Sequence, residues 1–204
     1  GGQAGLVLVD PDLAEVGGFH GESLSGLKLA YSDTSLRATA ATTTGARVAI
    51  VDATAGGNRK IEMQTGDAGA VLRFLDVYPN LRGGSAALSL SGEVDGALRG
   101  QLDARDFALL NEDKLNSIVR QPPPGSDRSL NQAVRRDVDL TRASFDQGFA
   151  ALEKGDGYLT VSNGVVRGDT IGVTFQGTVF DKENNMAITG TFMPAYGLNR
   201  LFGE

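Results

Sequence analysis

Apolar and polar residues alternate along most of this 204-residue chain. In the clearest stretch, residues 170–179, the apolar residues Ile171, Val173 and Phe175 are separated by threonine, glycine and glutamine. A period of two places successive side chains on opposite faces of a strand. The pattern therefore predicts a protein built mainly from β-strands, in which each strand has one apolar face and one hydroxyl-rich face.

Turn-forming residues divide the chain into short strands. Residues 24–66 are predicted to form a meander, because short alternating runs recur there about every 8–12 residues. Residues 85–107 are predicted to form a hairpin, and Asp95-Gly96 is a typical hairpin turn. Both segments favour antiparallel pairing between strands that are neighbours in sequence.

A second meander is predicted over residues 142–193. Its first part, residues 142–153, fits either a strand or a helix, because its apolar residues satisfy both periods. Further on, Asn163-Gly164 separates two alternating runs. Since this dipeptide is the strongest short signal for a two-residue turn, a hairpin is predicted at that point.

Two segments show the helical period instead. Residues 67–78 are predicted to form an amphipathic helix, with Asp67 as N-cap and Pro79 after its end. Residues 111–139 are predicted to form helices on either side of a proline-rich break at 122–125. We expect the apolar side of the first helix to lie on the sheet and to cap or plug one end of it. The side chains concerned are those of Val71, Phe74, Leu75 and Tyr78.

Glycine content indicates how the sheet is shaped. The chain has 28 glycines, roughly twice the usual ~7% share. Several fall inside predicted strands, where glycine marks bends, bulges or close backbone approach. We therefore predict one domain over residues 1–204, mainly β with a few short helices. Its centre is a curled antiparallel β-sheet, a groove-like meander capped by amphipathic helices.

Composition and charge exclude several classes of function. The net charge is −6, from 19 Lys and Arg against 25 Asp and Glu, and no basic stripe is present, which argues against nucleic-acid binding. The absence of cysteine excludes disulfides and thiolate metal sites. No apolar run reaches the ~18 residues of a membrane span. The start at Gly1 without methionine is interpreted as that of a fragment whose targeting segment is missing.

Few residues suggest catalysis. His20 is the only histidine and is interpreted as an ordinary loop residue, because no second histidine or cysteine accompanies it. Arg167-Gly168-Asp169 is expected to form a turn. Paired carboxylates can bind a hard cation or share acid–base work, but acidic turn residues are common in an acidic chain. The pairs are Asp10 with Asp12, Glu112 with Asp113, and Asp137 with Asp139. We predict no metal, no cofactor and no enzymatic activity.

A resemblance to a known family rests on the order of several motifs. Residues 67–70 open a helix, LRGG follows at 81–84, and a hairpin ends at Asp106-Phe107. The C-terminal part continues with YLTVSNGVV at 158–166, IGVTFQGTV at 171–179, MAITGTF at 186–192 and PAYGLN at 194–199. In this order, over about residues 60–200, the chain resembles the C-terminal region of AsmA-like proteins.

The resemblance implies a compartment and a function. AsmA-like proteins, with the related TamB and YhdP groups, are anchored in the bacterial inner membrane and extend into the periplasm. They form an elongated curled sheet with an apolar concave side and are implicated in moving phospholipid toward the outer membrane. By resemblance, this chain is expected to be a periplasmic module that binds or conducts phospholipid acyl chains and supports outer-membrane integrity. Its expected partners are phospholipid and neighbouring β-groove repeats of a longer protein, with membrane contact through flanking segments.

The predicted groove residues are the apolar positions of the last strands and of the 85–107 hairpin. They are Ile171, Val173, Phe175, Val179, Met186, Ile188, Phe192, Leu88, Leu90, Leu98 and Leu102. One alternative is an envelope assembly scaffold that uses its sheet edges to pair with a partner. Another is an enzyme such as a glycan-active β protein, which would need two carboxylates ~5–9.5 Å apart.

Overall fold

The computed structural model describes residues 15–111, 141–169, 171–183 and 185–194. These residues form eleven strands and one helix. The strands are β1 (Glu15–Gly17), β2 (Ser23–Ser32), β3 (Ser35–Thr42), β4 (Arg47–Ala55), β5 (Asn58–Thr65), β6 (Leu81–Glu93), β7 (Leu98–Leu110), β8 (Arg142–Gly155), β9 (Tyr158–Arg167), β10 (Ile171–Phe180) and β11 (Ala187–Pro194). The helix α1 (Ala68–Phe74) lies between β5 and β6. The helices predicted over 111–139 lie outside the described residues, apart from the position of Asn111.

All eleven strands belong to one sheet whose spatial order follows the sequence order. Every neighbouring pair is antiparallel, and β1 and β11 are the outer strands. The sheet is open, because β1 and β11 do not pair with each other. This confirms the prediction of a mainly β protein with a curled antiparallel sheet. It also confirms the strands predicted within 24–66 and the 85–107 hairpin, whose strands β6 and β7 have 13 residues each.

The predicted turn at Asn163-Gly164 is wrong, because both residues lie inside β9. Asn163 has a φ of 49°, and the register between β8 and β9 shifts between Phe149 and Ala151. A residue with positive φ is found in one class of β-bulge, and asparagine adopts that conformation at low cost. The ambiguous segment 142–153 is a strand, within β8.

The helix α1 begins where the sequence predicts. The Asp67 carboxylate accepts a hydrogen bond from the Ala70 amide at 2.9 Å, which confirms Asp67 as the N-cap. The hydroxyl of Thr44 donates to the other Asp67 oxygen at 2.8 Å, so the cap also ties the helix to the β3–β4 turn. The helix ends at Phe74, four residues before the predicted end at Tyr78.

A packed cluster lies at the end of the sheet where α1 is found. It consists of Phe107, Ala143, Phe145, Ile171 and Val173, all of them buried. The rings of Phe107 and Phe145 stack with their centroids 5.4 Å apart. These side chains come from the end of β7 and the starts of β8 and β10, so they fasten three strands that are distant in sequence.

One side chain shows how strongly the sheet curls at this end. The Arg73 guanidinium donates to the Leu81 carbonyl and to the Glu22 carboxylate, at 2.7 Å each. Leu81 begins β6 and Glu22 precedes β2, and those strands are four positions apart in the sheet. In a flat sheet they would be about 19 Å apart, at ~4.8 Å per strand. Their joint contact with Arg73 requires the intervening strands to curl.

Candidate functional site

Cross-strand register brings the apolar residues of β2–β7 into one continuous row. The row crosses five strand spacings, or about 24 Å. Its members are successive partners across the sheet, and we call them the central row. They are Leu29, Ala38, Ile50, Met63, Leu88 and Leu102.

Two further rows share this side of the sheet, because their residues are two positions from the central row along each strand. The row toward α1 includes Ala40, Val48, Thr65, Ala86, Ala104, Gly148, Val166 and Val173. The row on the far side includes Leu36, Asp52, Ile61, Leu90, Gly100, Leu152, Val161, Gly177 and Ile188. We call the side of the sheet that carries these three rows the apolar face.

The large side chains of the central row are only half-buried. Ile50, Met63, Leu88 and Leu102 all retain solvent exposure, whereas Phe145 in the packed cluster is 1% exposed. Within the described ranges α1 is the only helix, and its main sheet contacts are with β6 and β7. The apolar face therefore has a packed part next to α1, and its central row over β2–β7 is incompletely covered.

The end next to α1 is closed by contacts between the helix and the β1–β2 turn. The Arg73–Glu22 ion pair is nearly buried, with side-chain exposures of 12% and 10%. The amide of Phe19 donates to the Phe74 carbonyl at 3.1 Å, and His20 contacts Asp76 at 2.7 Å. We call this the capped end of the apolar face.

The opposite end carries a charged pair that sequence reasoning missed. Asp52 and Arg59 both lie on the apolar face, and Arg59 donates two hydrogen bonds to the Asp52 carboxylate, at 3.0 and 2.6 Å. These hydrogen bonds lower the pKa of Asp52 and raise that of Arg59. The two residues are diagonal neighbours on β4 and β5, a relation that becomes visible only when the register is known.

The predicted groove residues of β6 and β7 all lie on the apolar face. Leu88 and Leu102 belong to the half-buried central row, while Leu90 and Leu98 are 4% exposed. The register therefore brings these four leucines together.

The predicted groove residues of β10 and β11 occupy different environments. Ile171 and Val173 belong to the packed cluster. The ring of Phe175 lies directly over Gly164, since a Cβ on that residue would be 2.5 Å from the ring. Val179 lies at a register shift between β9 and β10, and Ile188 pairs with Gly177. Met186 precedes β11 and is 50% exposed. The backbone of Phe192 pairs with Val173.

The residues predicted to cap the sheet divide in the same way. Val71 is buried. The ring of Phe74 packs against Gly18 so closely that a side chain on Gly18 would clash with it. Tyr78 is half-buried, whereas Leu75 is 53% exposed. The helix thus contacts the rest of the protein through its buried N-terminal half, Arg73 and Phe74.

Among the predicted chemical candidates, only His20 and Arg167-Gly168-Asp169 lie within the described residues. Arg167-Gly168-Asp169 leads into a turn closed by a hydrogen bond from the Gly168 amide to the Ile171 carbonyl at 2.8 Å. The three carboxylate pairs lie outside the described residues. Within the described residues no group of three or more His, Asp or Glu could hold a metal ion, and no helix is long and apolar enough to cross a bilayer.

The side of the sheet opposite the apolar face, which we call the hydroxyl-rich face, has two shallow depressions that the sequence did not indicate. One has a volume of about 430 Å³ and crosses β7, β8 and β9. The other, of about 390 Å³, crosses β9, β10 and β11 near the Asn163 bulge. Both depend on register shifts in neighbouring strands, which alternation alone does not reveal.

Comparisons with family models, curated proteins and solved structures found no match for this chain. The class of protein is therefore defined by the fold of the described residues: an open, curled antiparallel sheet with one apolar face, accompanied in those ranges by one short helix. The resemblance to AsmA-like proteins stays a prediction that rests on motif order.

Proposed function

We propose that this chain is a non-enzymatic β-groove module that binds the acyl chains of phospholipid along its apolar face. The half-buried central row is the observation that carries this proposal. An acyl chain in water loses ~0.8 kcal/mol for each exposed CH₂ group, and a row of Ile50, Met63, Leu88 and Leu102 offers apolar contact that removes this cost. Binding of this kind needs no nucleophile, base or cofactor.

The two ends of the apolar face suggest an orientation for the lipid. The capped end also holds the packed cluster, and the apolar side chains of that cluster suit the methyl end of an acyl chain. The other end presents the Asp52–Arg59 pair, and the half-exposed Tyr31 lies in the same row two strands away. Charged groups at that end suit a polar headgroup, because a headgroup buried among leucines would lose its hydration.

The compartment forms part of the same proposal. AsmA-like proteins act on the periplasmic side of the inner membrane, and the motif order supports placing this chain there as part of an anchored envelope protein. Protease added to spheroplasts that express the tagged full-length protein should digest this domain. Digestion only after the inner membrane is lysed would contradict the periplasmic assignment.

Copurified lipid provides the test of acyl-chain binding. The protein, purified without detergent from a bacterial host, should carry phospholipid that mass spectrometry detects. Leu88→Asp should reduce the bound lipid at least about tenfold, because a charge on the apolar face is costly to desolvate. Ser89→Asp is the matched control, since Ser89 is the next residue on β6 and faces the opposite side.

Thermal unfolding of both variants separates loss of binding from loss of fold. If Leu88→Asp keeps its cooperative unfolding and still carries as much lipid as Ser89→Asp, the apolar face is not the binding site. If the unsubstituted protein carries no phospholipid at all, the proposed function is wrong.

A second candidate function is an envelope assembly scaffold. In the described part of the chain, β1 and β11 each pair on one side only, so their outer edges are available for another strand. A photoreactive residue at Thr189 on β11 should then capture a strand of a neighbouring repeat or of a second copy. Capture at Thr189 together with an absence of copurified lipid would favour the scaffold over the lipid-binding module.

A further inference from the structure

The depression over β7, β8 and β9 brings together two arginines and an amide on the hydroxyl-rich face. Arg105 pairs with Gln147, and Gln147 pairs with Arg167, so the three side chains stand side by side on consecutive strands. At ~4.8 Å per strand, the two arginines are about 10 Å apart at their Cα atoms. Long guanidinium side chains at that separation can reach a common anion above Gln147.

Both guanidinium groups lack a carboxylate partner among the described residues. In contrast, Arg59, Arg73 and Arg99 each form an ion pair with Asp or Glu. Two cations that flank one depression repel one another weakly, because salt screens charges at about 10 Å. An anion bound between them would interact favourably with both.

The rest of the depression is partly apolar and partly acidic. Phe149 and Val165 pair with each other in the adjacent row, and Phe149 is 38% exposed although it is a large aromatic residue. Asp103 lies beside Phe149 in the same row, so the depression has a net charge of +1 when Arg105 and Arg167 are counted. A ligand here would meet cations on one side and an aromatic ring on the other.

We propose that this depression binds a small soluble molecule that carries a phosphate group on a flat apolar ring. Arginine matches a tetrahedral oxyanion with paired N–H donors, and the Gln147 amide supplies a further donor between Arg105 and Arg167. The exposed ring of Phe149 can stack against the apolar part of the ligand. This site lies on the face opposite the apolar face, so it is independent of lipid binding.

Titration of the full chain with phenyl phosphate at constant ionic strength tests the proposal. The backbone amide chemical shifts of Gln147 and Phe149 should change with ligand concentration and reach a plateau. Arg105→Gln and Arg167→Gln should each weaken binding about tenfold, which is the effect of losing one charge-assisted donor. Arg37→Gln is the matched control, because Arg37 is an exposed arginine of the same face, outside the depression.

Asp103→Asn should tighten binding about threefold by removing a negative charge near the phosphate. Inorganic phosphate should bind more weakly than phenyl phosphate, and Phe149→Ala should remove that difference. Shifts that do not saturate, or equal effects of Arg105→Gln and Arg37→Gln, would overturn the proposed site. Retention of phosphatidic acid vesicles through Arg105 and Arg167, without binding of phenyl phosphate, would contradict a soluble ligand.

Discussion

At the residue scale, Arg73 holds three parts of the chain together. Its guanidinium contacts Leu81 at the start of β6 and Glu22 before β2, and its own backbone belongs to α1. The second carboxylate oxygen of Glu22 is buried and has no hydrogen-bond partner in the part of the chain that the structure describes. The capped end therefore depends on a charge pair that is almost removed from water.

Replacing Arg73 with methionine should destabilise the protein strongly. The substitution keeps most of the volume but leaves the Glu22 carboxylate buried and unpaired, which costs about 3–5 kcal/mol of unfolding free energy. The double variant Arg73→Met with Glu22→Gln should recover much of this loss, because it has no unpaired carboxylate charge at position 22. Urea unfolding measures both values.

A matched control is available in the exposed ion pair between Arg99 and Glu153, whose side chains are 70% and 35% exposed. Arg99→Met should cost far less than Arg73→Met, since exposed pairs contribute little. Equal losses for the two variants would contradict the role given to the buried pair.

The Asp52–Arg59 pair should make the stability of the fold depend on pH. Hydrogen bonds from Arg59 lower the pKa of Asp52 below its usual 3.8 in the folded protein. The pair therefore stabilises the fold fully above the unfolded-state pKa, and this contribution is lost as the pH falls through the lowered pKa. In urea unfolding between about pH 5 and pH 2, Asp52→Asn should lose stability less steeply than the unsubstituted protein. Identical pH profiles would show that the pair does not form.

At the scale of elements, α1 is placed by a close approach to β6. A Cβ on Gly69 would lie 2.6 Å from the Leu81 carbonyl oxygen and 2.9 Å from the Arg82 Cα. Backbone atoms cannot move aside as a flexible side chain can. Only glycine at this position lets the helix rest directly on the strand.

Gly69→Ala should therefore destabilise the protein by about 1–3 kcal/mol, the usual cost of overpacking. This sign is opposite to the gain of up to about 1 kcal/mol that alanine gives in an isolated helix. Gly17→Ala is the control, because a Cβ there meets nothing within 4 Å. A Gly69→Ala variant as stable as Gly17→Ala in urea unfolding would contradict the close packing of α1 on β6.

Element types could be predicted from the sequence more securely than their connections. Alternation located the strands, and Asp67 located the start of α1, because both depend on neighbouring residues only. Asn163-Gly164 was predicted to form a turn but lies at a bulge inside β9, because a residue with positive φ occurs in both. Pairing of β9 with β8 and β10 decides between them, and that pairing is a property of the sheet.

At the scale of the whole molecule, the apolar face divides into a packed part and an open part. Alternation predicts which side chains share a face but not which of them are covered. Val173 and Leu88 look alike in sequence, yet one is 5% exposed in the packed cluster and the other is half-buried in the central row. The meeting of Arg105, Gln147 and Arg167 likewise depends on register over three strands.

Photocrosslinking from a single strand tests the open apolar face most directly. Met63 and Gln64 are neighbours on β5, but Met63 belongs to the central row and Gln64 to the hydroxyl-rich face. The chain has no cysteine, so a benzophenone maleimide would react only at an introduced Met63→Cys or Gln64→Cys. Irradiation in a bacterial envelope should link phospholipid to the label at position 63 and not at position 64. Equal labelling at both positions, or capture of lipid at neither, would contradict an apolar face that is open to acyl chains.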